Sequence, residues 1–166
     1  MSQIPKERPL TPQEKIDWQG CTAHAFQELP IGDVSQTPTE LAVQVDHCVD
    51  EWQAGRRPDP EKSDVIDTAL SLGAAWGDQL VNAFGWEWTV IIDGNQELYA
   101  VASKDRAFLV YPSYYIKACL DDPTMDCTVA LAFNMMVAGK ITGIPPRSYM
   151  DVMEGVMHIV PKAPRV

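Results

Sequence analysis

The sequence predicts an α+β fold, a small antiparallel three-stranded meander packed with four to six helices. Three observations carry that prediction. A long stretch from about Pro60 to Phe84 repeats apolar residues every three to four positions, the period of one helical face. Trp86 to Ile92 then alternates with a period of two, as a half-buried strand does. Asp93-Gly94-Asn95 comes next, and a tight hairpin needs residues of this kind, which tolerate positive φ.

Residues 1–12 hold three prolines and mixed charge and predict a flexible N-terminal arm. A short helix is expected from Thr11 to Trp18, with Pro12 in its first turn. Residues 20–37 contain Gly20, Pro30 and Gly32 without sustained periodicity and read as irregular. From Pro38 to Ala54, Leu41, Val45, Cys48 and Trp52 fall on one helical face, with Thr37 placed to cap it and Gly55 to end it.

The next helix, about Pro60 to Phe84, lines up Ala69, Gly73 and Gly77. Glycine inside a helix costs about 1 kcal/mol against alanine. The expected compensation is close approach of another element at this line. In the meander after it, Trp86, Trp88, Val90 and Ile92 share one face of the first strand. Glu97–Ser103 and Ala107–Tyr111 supply the second and third strands, and Pro112 ends the last.

A short helix from Ser113 to Leu120, capped by Ser113, is expected next. Another runs from Asp126 to Ala138, apolar nearly all round and hence deeply buried. A last short helix is expected from Ser148 to Met157, with Ser148 and Asp151 at capping-box-like spacing. The tail from Pro161 to Val166 reads as loose. No internal repeat breaks the chain, and 166 residues suit one domain, 1–166, able to bury a core of its own.

The net charge of −10 speaks against nucleic acid, whose phosphates require a basic footprint, and against anionic membrane surfaces. It suits a basic protein partner. The N-terminal segment lacks the apolar core of a signal peptide, and the most apolar stretch is about half of what spans a bilayer, so a cytoplasmic location is expected. In that compartment Cys21, Cys48, Cys119 and Cys127 are expected as thiols, although Cys119 and Cys127 could meet across the Asp121-Asp122-Pro123 turn.

No pattern for nucleophilic catalysis or phosphate binding occurs, so no catalytic residue and no cofactor is assigned. Cys21-x-x-His24 and His47-Cys48 carry zinc-type ligands. Adjacent helical residues point about 100° apart, so His47 and Cys48 are poorly placed to share one ion, and no metal site is assigned. Trp86 and Trp88 are expected to pack under the long helix, the alternative being a recognition patch at the sheet edge. Between Asp33 and Asp67, nine acidic residues face only three basic ones. Within that stretch Glu40, His47, Asp50, Glu51, Asp64 and Asp67 are the candidate partner-binding residues, against the simpler reading of a solvated surface.

Leu72-Gly73-Ala74-Ala75-Trp76-Gly77-Asp78, then Gly85-Trp86-Glu87-Trp88, Tyr99-Ala100-Val101 and Val110-Tyr111-Pro112, resemble a family of small bacterial domains of unknown function. The resemblance covers about Asp64 to Leu120. It implies a bacterial α+β domain, often found near toxin and secretion genes where small acidic proteins act as immunity factors, and it brings no catalytic residues. The expected function is therefore non-enzymatic protein binding, most concretely an immunity protein that neutralises a basic toxin. The alternatives are a small hydrolase or ligand-binding enzyme using His24 or His158, and a homodimeric adaptor.

Overall fold

A computed structural model describes residues 4–59, 61 and 64–159, with side chains described as far as Val156. In chain order the elements are β1 (Lys6–Arg8), α1 (Pro12–Glu28), α2 (Pro38–Gln53), α3 (Val65–Phe84), β2 (Glu87–Asp93), β3 (Gln96–Ala102), β4 (Phe108–Val110), α4 (Pro112–Asp121), α5 (Val129–Val137), β5 (Met150–Asp151) and α6 (Val152–Ile159). The class is α+β. The meander of β2, β3 and β4 is the middle of a larger mixed sheet of five strands, ordered β1-β2-β3-β4-β5. β1 adds antiparallel to β2 and β5 adds parallel to β4.

Both added strands correct the sequence expectation. Lys6–Arg8, expected within a flexible arm, pairs with Val90 to Ile92. Its residues are charged and number only three, so no apolar alternation announces it. β5 has two residues, within a segment expected to be helical from Ser148. Backbone bonds seat it: Arg147 N–H donates to the Asp105 carbonyl (2.9 Å), Tyr149 N–H to that of Arg106 (2.8 Å) and Met150 N–H to that of Ala107 (2.9 Å). Asp151 does cap α6, accepting from Met153 N–H (2.9 Å), whereas Ser148 donates its hydroxyl to the Pro145 carbonyl (2.6 Å).

α1 is the other large difference. It runs on through Gly20 to Glu28, ten residues beyond Trp18. Its buried residues are only Trp18 and Ala25, too sparse a pattern to read from sequence. α2 matches expectation, with Leu41, Val45, Cys48 and Trp52 buried and a Thr37/Glu40 capping box at its start. α3 begins at Val65, with Asp64 as its cap, and ends at Gly85, whose left-handed φ of 67° closes it. The α4 cap is corrected too: Ser113 lies inside that helix, after Pro112 at its first position, and its hydroxyl caps nothing. α5 starts at Val129 rather than Asp126, and residues 160–166, including the expected loose tail, lie outside the described residues.

α3 is the central element, buried almost continuously from Thr68 to Gly77. On one side α2, α4 and α5 enclose Leu72, Trp76, Ile116, Val129 and Phe133. The small-residue line makes the close approaches expected of it. A Cβ on Gly73 would lie 2.6 Å from the Ser113 backbone, and one on Gly77 would lie 2.6 Å from Cη2 of the Trp88 ring and closer still to its Cζ2. Trp88 and Val90 pack with Trp18 and Ala74, which sets the helices on the tryptophan face of the sheet as the alternation predicted. The opposite face carries a smaller cluster of Ile91, Ala100, Ala102 and Leu109 beside Tyr111 and Tyr149. No helix among the described residues is long and apolar enough to cross a membrane.

Candidate functional site

β1 covers only part of the β2 edge. Lys6, Glu7 and Arg8 stand opposite Ile92, Ile91 and Val90, while Glu87, Trp88 and Thr89 have ladder partners on the β3 side alone among the described residues. Pro9 then turns the chain away, since it has no N–H to continue the ladder. Leu10 is buried under the turn, and Thr11 caps α1. The result is a cleft of about 590 Å³ along the uncovered stretch of β2. Its walls are Glu7–Leu10, the first turns of α1 (Lys15, Trp18, Gln19), Asp78 and Val81 of α3, Trp86–Thr89, and Arg106 from the β3–β4 turn.

One end of the cleft is braced by Arg8. Its guanidinium donates to both oxygens of Glu14 (2.9 and 2.9 Å) and to both of Glu97 (3.1 and 2.7 Å). Glu14 also closes the capping box on Thr11 N–H (2.7 Å) and accepts from the Tyr99 hydroxyl (2.8 Å). With Arg8 foremost among these donors, the Glu14 carboxyl is held well below the usual carboxylate range. A second brace lies on the far face of the sheet. Arg106, itself at a left-handed φ of 59°, donates to Glu7 (3.0 and 3.1 Å), Glu87 (3.0 Å) and the Ser103 carbonyl (3.0 Å). Glu7 in turn accepts from the hydroxyls of Thr89 (2.9 Å) and Tyr149 (3.3 Å).

The aromatic wall arises from helical spacing. Trp18 and Thr22, one turn apart on α1, both face the start of β2 and the C-terminal half of α3. Trp18 stacks on Trp88 with ring centroids 4.7 Å apart and meets Tyr99 edge-on at 5.3 Å. The Trp88 indole N–H donates to Asp78 Oδ1 (2.9 Å), and the Thr22 hydroxyl donates to Asp78 Oδ2 (2.8 Å). Gly77 beside Asp78 lets the indole lie against α3. Trp86 is half-buried and lies parallel to Phe108 at 6.5 Å.

The six candidate residues from the acidic stretch lie on α2 and at the start of α3, and none lines this cleft. Three of them have structural work. Glu40 closes the α2 capping box on Thr37 N–H (2.8 Å). Glu51 takes two hydrogen bonds from Arg56 (2.6 and 2.8 Å), which hold its carboxyl below the usual range. Asp64 caps α3, accepting from Ile66 N–H (2.6 Å) and Asp67 N–H (3.2 Å). His47, Asp50 and Asp67 are exposed.

Asp46, in the same stretch, turns inward. It accepts the Val129 and Ala130 N–H groups (2.9 and 3.0 Å) and so caps α5 from another helix, while burial pushes its carboxyl up to about 6. The sequence carries no local signal for that cap, because 83 residues separate Asp46 from Val129.

The zinc-type residues do not gather. The His24 ring bonds the Ser71 hydroxyl (3.0 Å), and Cys48 lies in the core with its thiol pushed up to about 11 by burial. No group of three or more potential metal ligands forms among the described residues. Cys119 and Cys127 are free thiols. Among the described residues the cleft walls hold no histidine or cysteine, and the His158 side chain lies outside them.

Fold and cleft together define a small α+β protein with a tryptophan-walled groove at a sheet edge. Residues 50–122 match a family model described as Domain of unknown function (DUF3806), so the resemblance read from Asp64 to Leu120 is to an uncharacterised domain. No curated protein and no solved structure matches the chain.

Proposed function

We propose that the chain is a non-enzymatic protein-binding protein that receives a partner segment in the cleft between β1, α1 and β2. The observation that carries this reading is the edge of β2 at Glu87 and Trp88, which β1 does not cover, set beside the half-buried indoles of Trp86 and Trp88. An extended segment laid there gains main-chain hydrogen bonds, which give affinity, and side-chain pockets, which give specificity. Tryptophan is enriched among residues that dominate binding energy. The exposed carboxylates of Asp64 and Asp67, with the overall charge of −10, favour encounter with a basic partner.

Neutralisation of a basic toxin is the most concrete form of this function, supported by the acidity and by the toxin and secretion setting that the family resemblance implies. Co-expression with products of neighbouring genes, followed by pull-down and a growth assay, tests it. A stable complex and relief of toxicity are expected. Lys15→Glu, which replaces a cation on an exposed cleft wall with a carboxylate, should tighten the complex with a basic partner while leaving the fold intact. No complex and no protection with any neighbouring product would sink the proposal.

A further inference from the structure

We infer that the cleft takes an arginine side chain of an extended partner segment, with Asp78 as its counter-charge; this rests on the protein-binding reading above. The charges on the cleft walls point to it. Glu7 and Glu87 are both ion-paired to Arg106, and Arg8 is ion-paired to Glu14 and Glu97. Asp78 is the one carboxylate of the walls with no cation within ion-pair distance among the described residues. Each of its oxygens accepts a single neutral donor, from Trp88 and from Thr22. A carboxylate offers about four acceptor positions, so about two remain. It is half-buried, and it also borders a second cavity of about 350 Å³ with Thr22, Gln79 and Asn82.

Its two hydrogen bonds fix the Asp78 carboxylate in a geometry that needs no rearrangement on binding. Trp18 and Trp88 stack on each other, which leaves Trp86 as the wall indole not paired with another indole, and a π face attracts a cation. Arginine fits this better than lysine: its planar guanidinium reaches a carboxylate through several donors and lies flat along an aromatic ring. Lys15, also on the wall, is exposed and makes no ion pair with Asp78, so the counter-charge is not already supplied from within the chain.

The test uses blocked tripeptides, acetyl-Val-Arg-Val-amide and its citrulline analogue, which keeps shape but not charge. Binding to the full chain is followed by amide and indole NMR shifts, with the Trp88 indole N–H as the local reporter. The arginine peptide should bind about tenfold more tightly than the citrulline peptide, as a charge-assisted hydrogen bond implies. Asp78→Asn should erase that preference. Equal binding of the two peptides, or no shift from either up to about 10 mM, overturns the inference. The wild-type comparison decides the matter even if Asp78→Asn fails to fold. A partner protein captured equally by wild type and Asp78→Asn, without arginine preference, removes the counter-charge and leaves the protein-binding reading standing. Arginine preference without any captured partner does the reverse.

Discussion

Gly73→Ala probes the close approach of α4 to α3. The added methyl would lie 2.6 Å from both the backbone N and the Cα of Ser113, about 1 Å inside ordinary contact. These are backbone atoms, so no side chain can rotate away, and α4 must move off α3. That motion loosens the packing of Trp76 on Tyr115, now at 5.9 Å between centroids, and of Leu72 and Ile116, both fully buried. Overpacking of this kind costs about 3 kcal/mol at the upper end of its range. Alanine returns about 1 kcal/mol of helix propensity. The net expected loss is about 2 kcal/mol, or roughly 4–8 °C in melting temperature for a chain of this size. Urea unfolding followed by tryptophan fluorescence and circular dichroism measures it. Gly20→Ala is the internal control, since it is also helical but nothing lies within 4 Å of its added Cβ. That variant should gain up to about 1 kcal/mol. If Gly73→Ala is as stable as wild type, or moves with Gly20→Ala, the close-approach argument is wrong.

Asp46 should make stability depend on pH in the less common direction. Its folded carboxyl titrates near 6 against an ordinary 3.8, so the folded state holds the proton more tightly. The stabilisation is full below about pH 4 and is lost as pH rises to 6, an amount of about 3 kcal/mol. Wild type should therefore gain on Asp46→Asn between pH 7 and pH 4 in urea melts, and parallel pH profiles would refute this. Phe133→Ala should cost about 4 kcal/mol, since Phe133 is 1% exposed and packs on Phe84 at 5.2 Å. An unchanged urea midpoint would contradict that. Arg8→Met should speed hydrogen exchange at the β1 amides and leave α5 unaffected, because Arg8 ties β1 to Glu14 and Glu97. Unaltered β1 protection would show that the ladder alone holds the strand.

The elements readable in sequence are those whose local pattern and tertiary role agree. α2 buries one regular face and its periodicity shows it, while α3 and the β2–β3 hairpin are marked by their apolar repeat and by the Gly85 and Asp93-Gly94 stops. α1 beyond Trp18 buries little besides Ala25, so its pattern is faint although the helix is well formed. β1 and β5 are held by long-range partners rather than apolar alternation. The same reason explains the site. Trp18, Asp78 and Trp88 converge because α1 packs on α3 and α3 on the sheet, and no spacing between them in the chain encodes it. Trp86 and Trp88 are the one visible sign, as a patch at a sheet edge. The acidic residues, by contrast, are conspicuous in sequence, and three of the six named serve helix ends or a local ion pair.

The strands lie side by side in the order in which the chain supplies them, so both margins of the sheet are built from segments flanking residues 50–122. Cut out on its own, the matched segment would be a ribbon with two raw borders, each able to recruit a stranger. Expressed as a fragment, it should self-associate, and adding back residues 4–49 should mend only the border that β1 covers. The portion the family model recognises is thus a kernel that needs its wrapping, and boundaries drawn around that match would separate the recognised part from half of the groove.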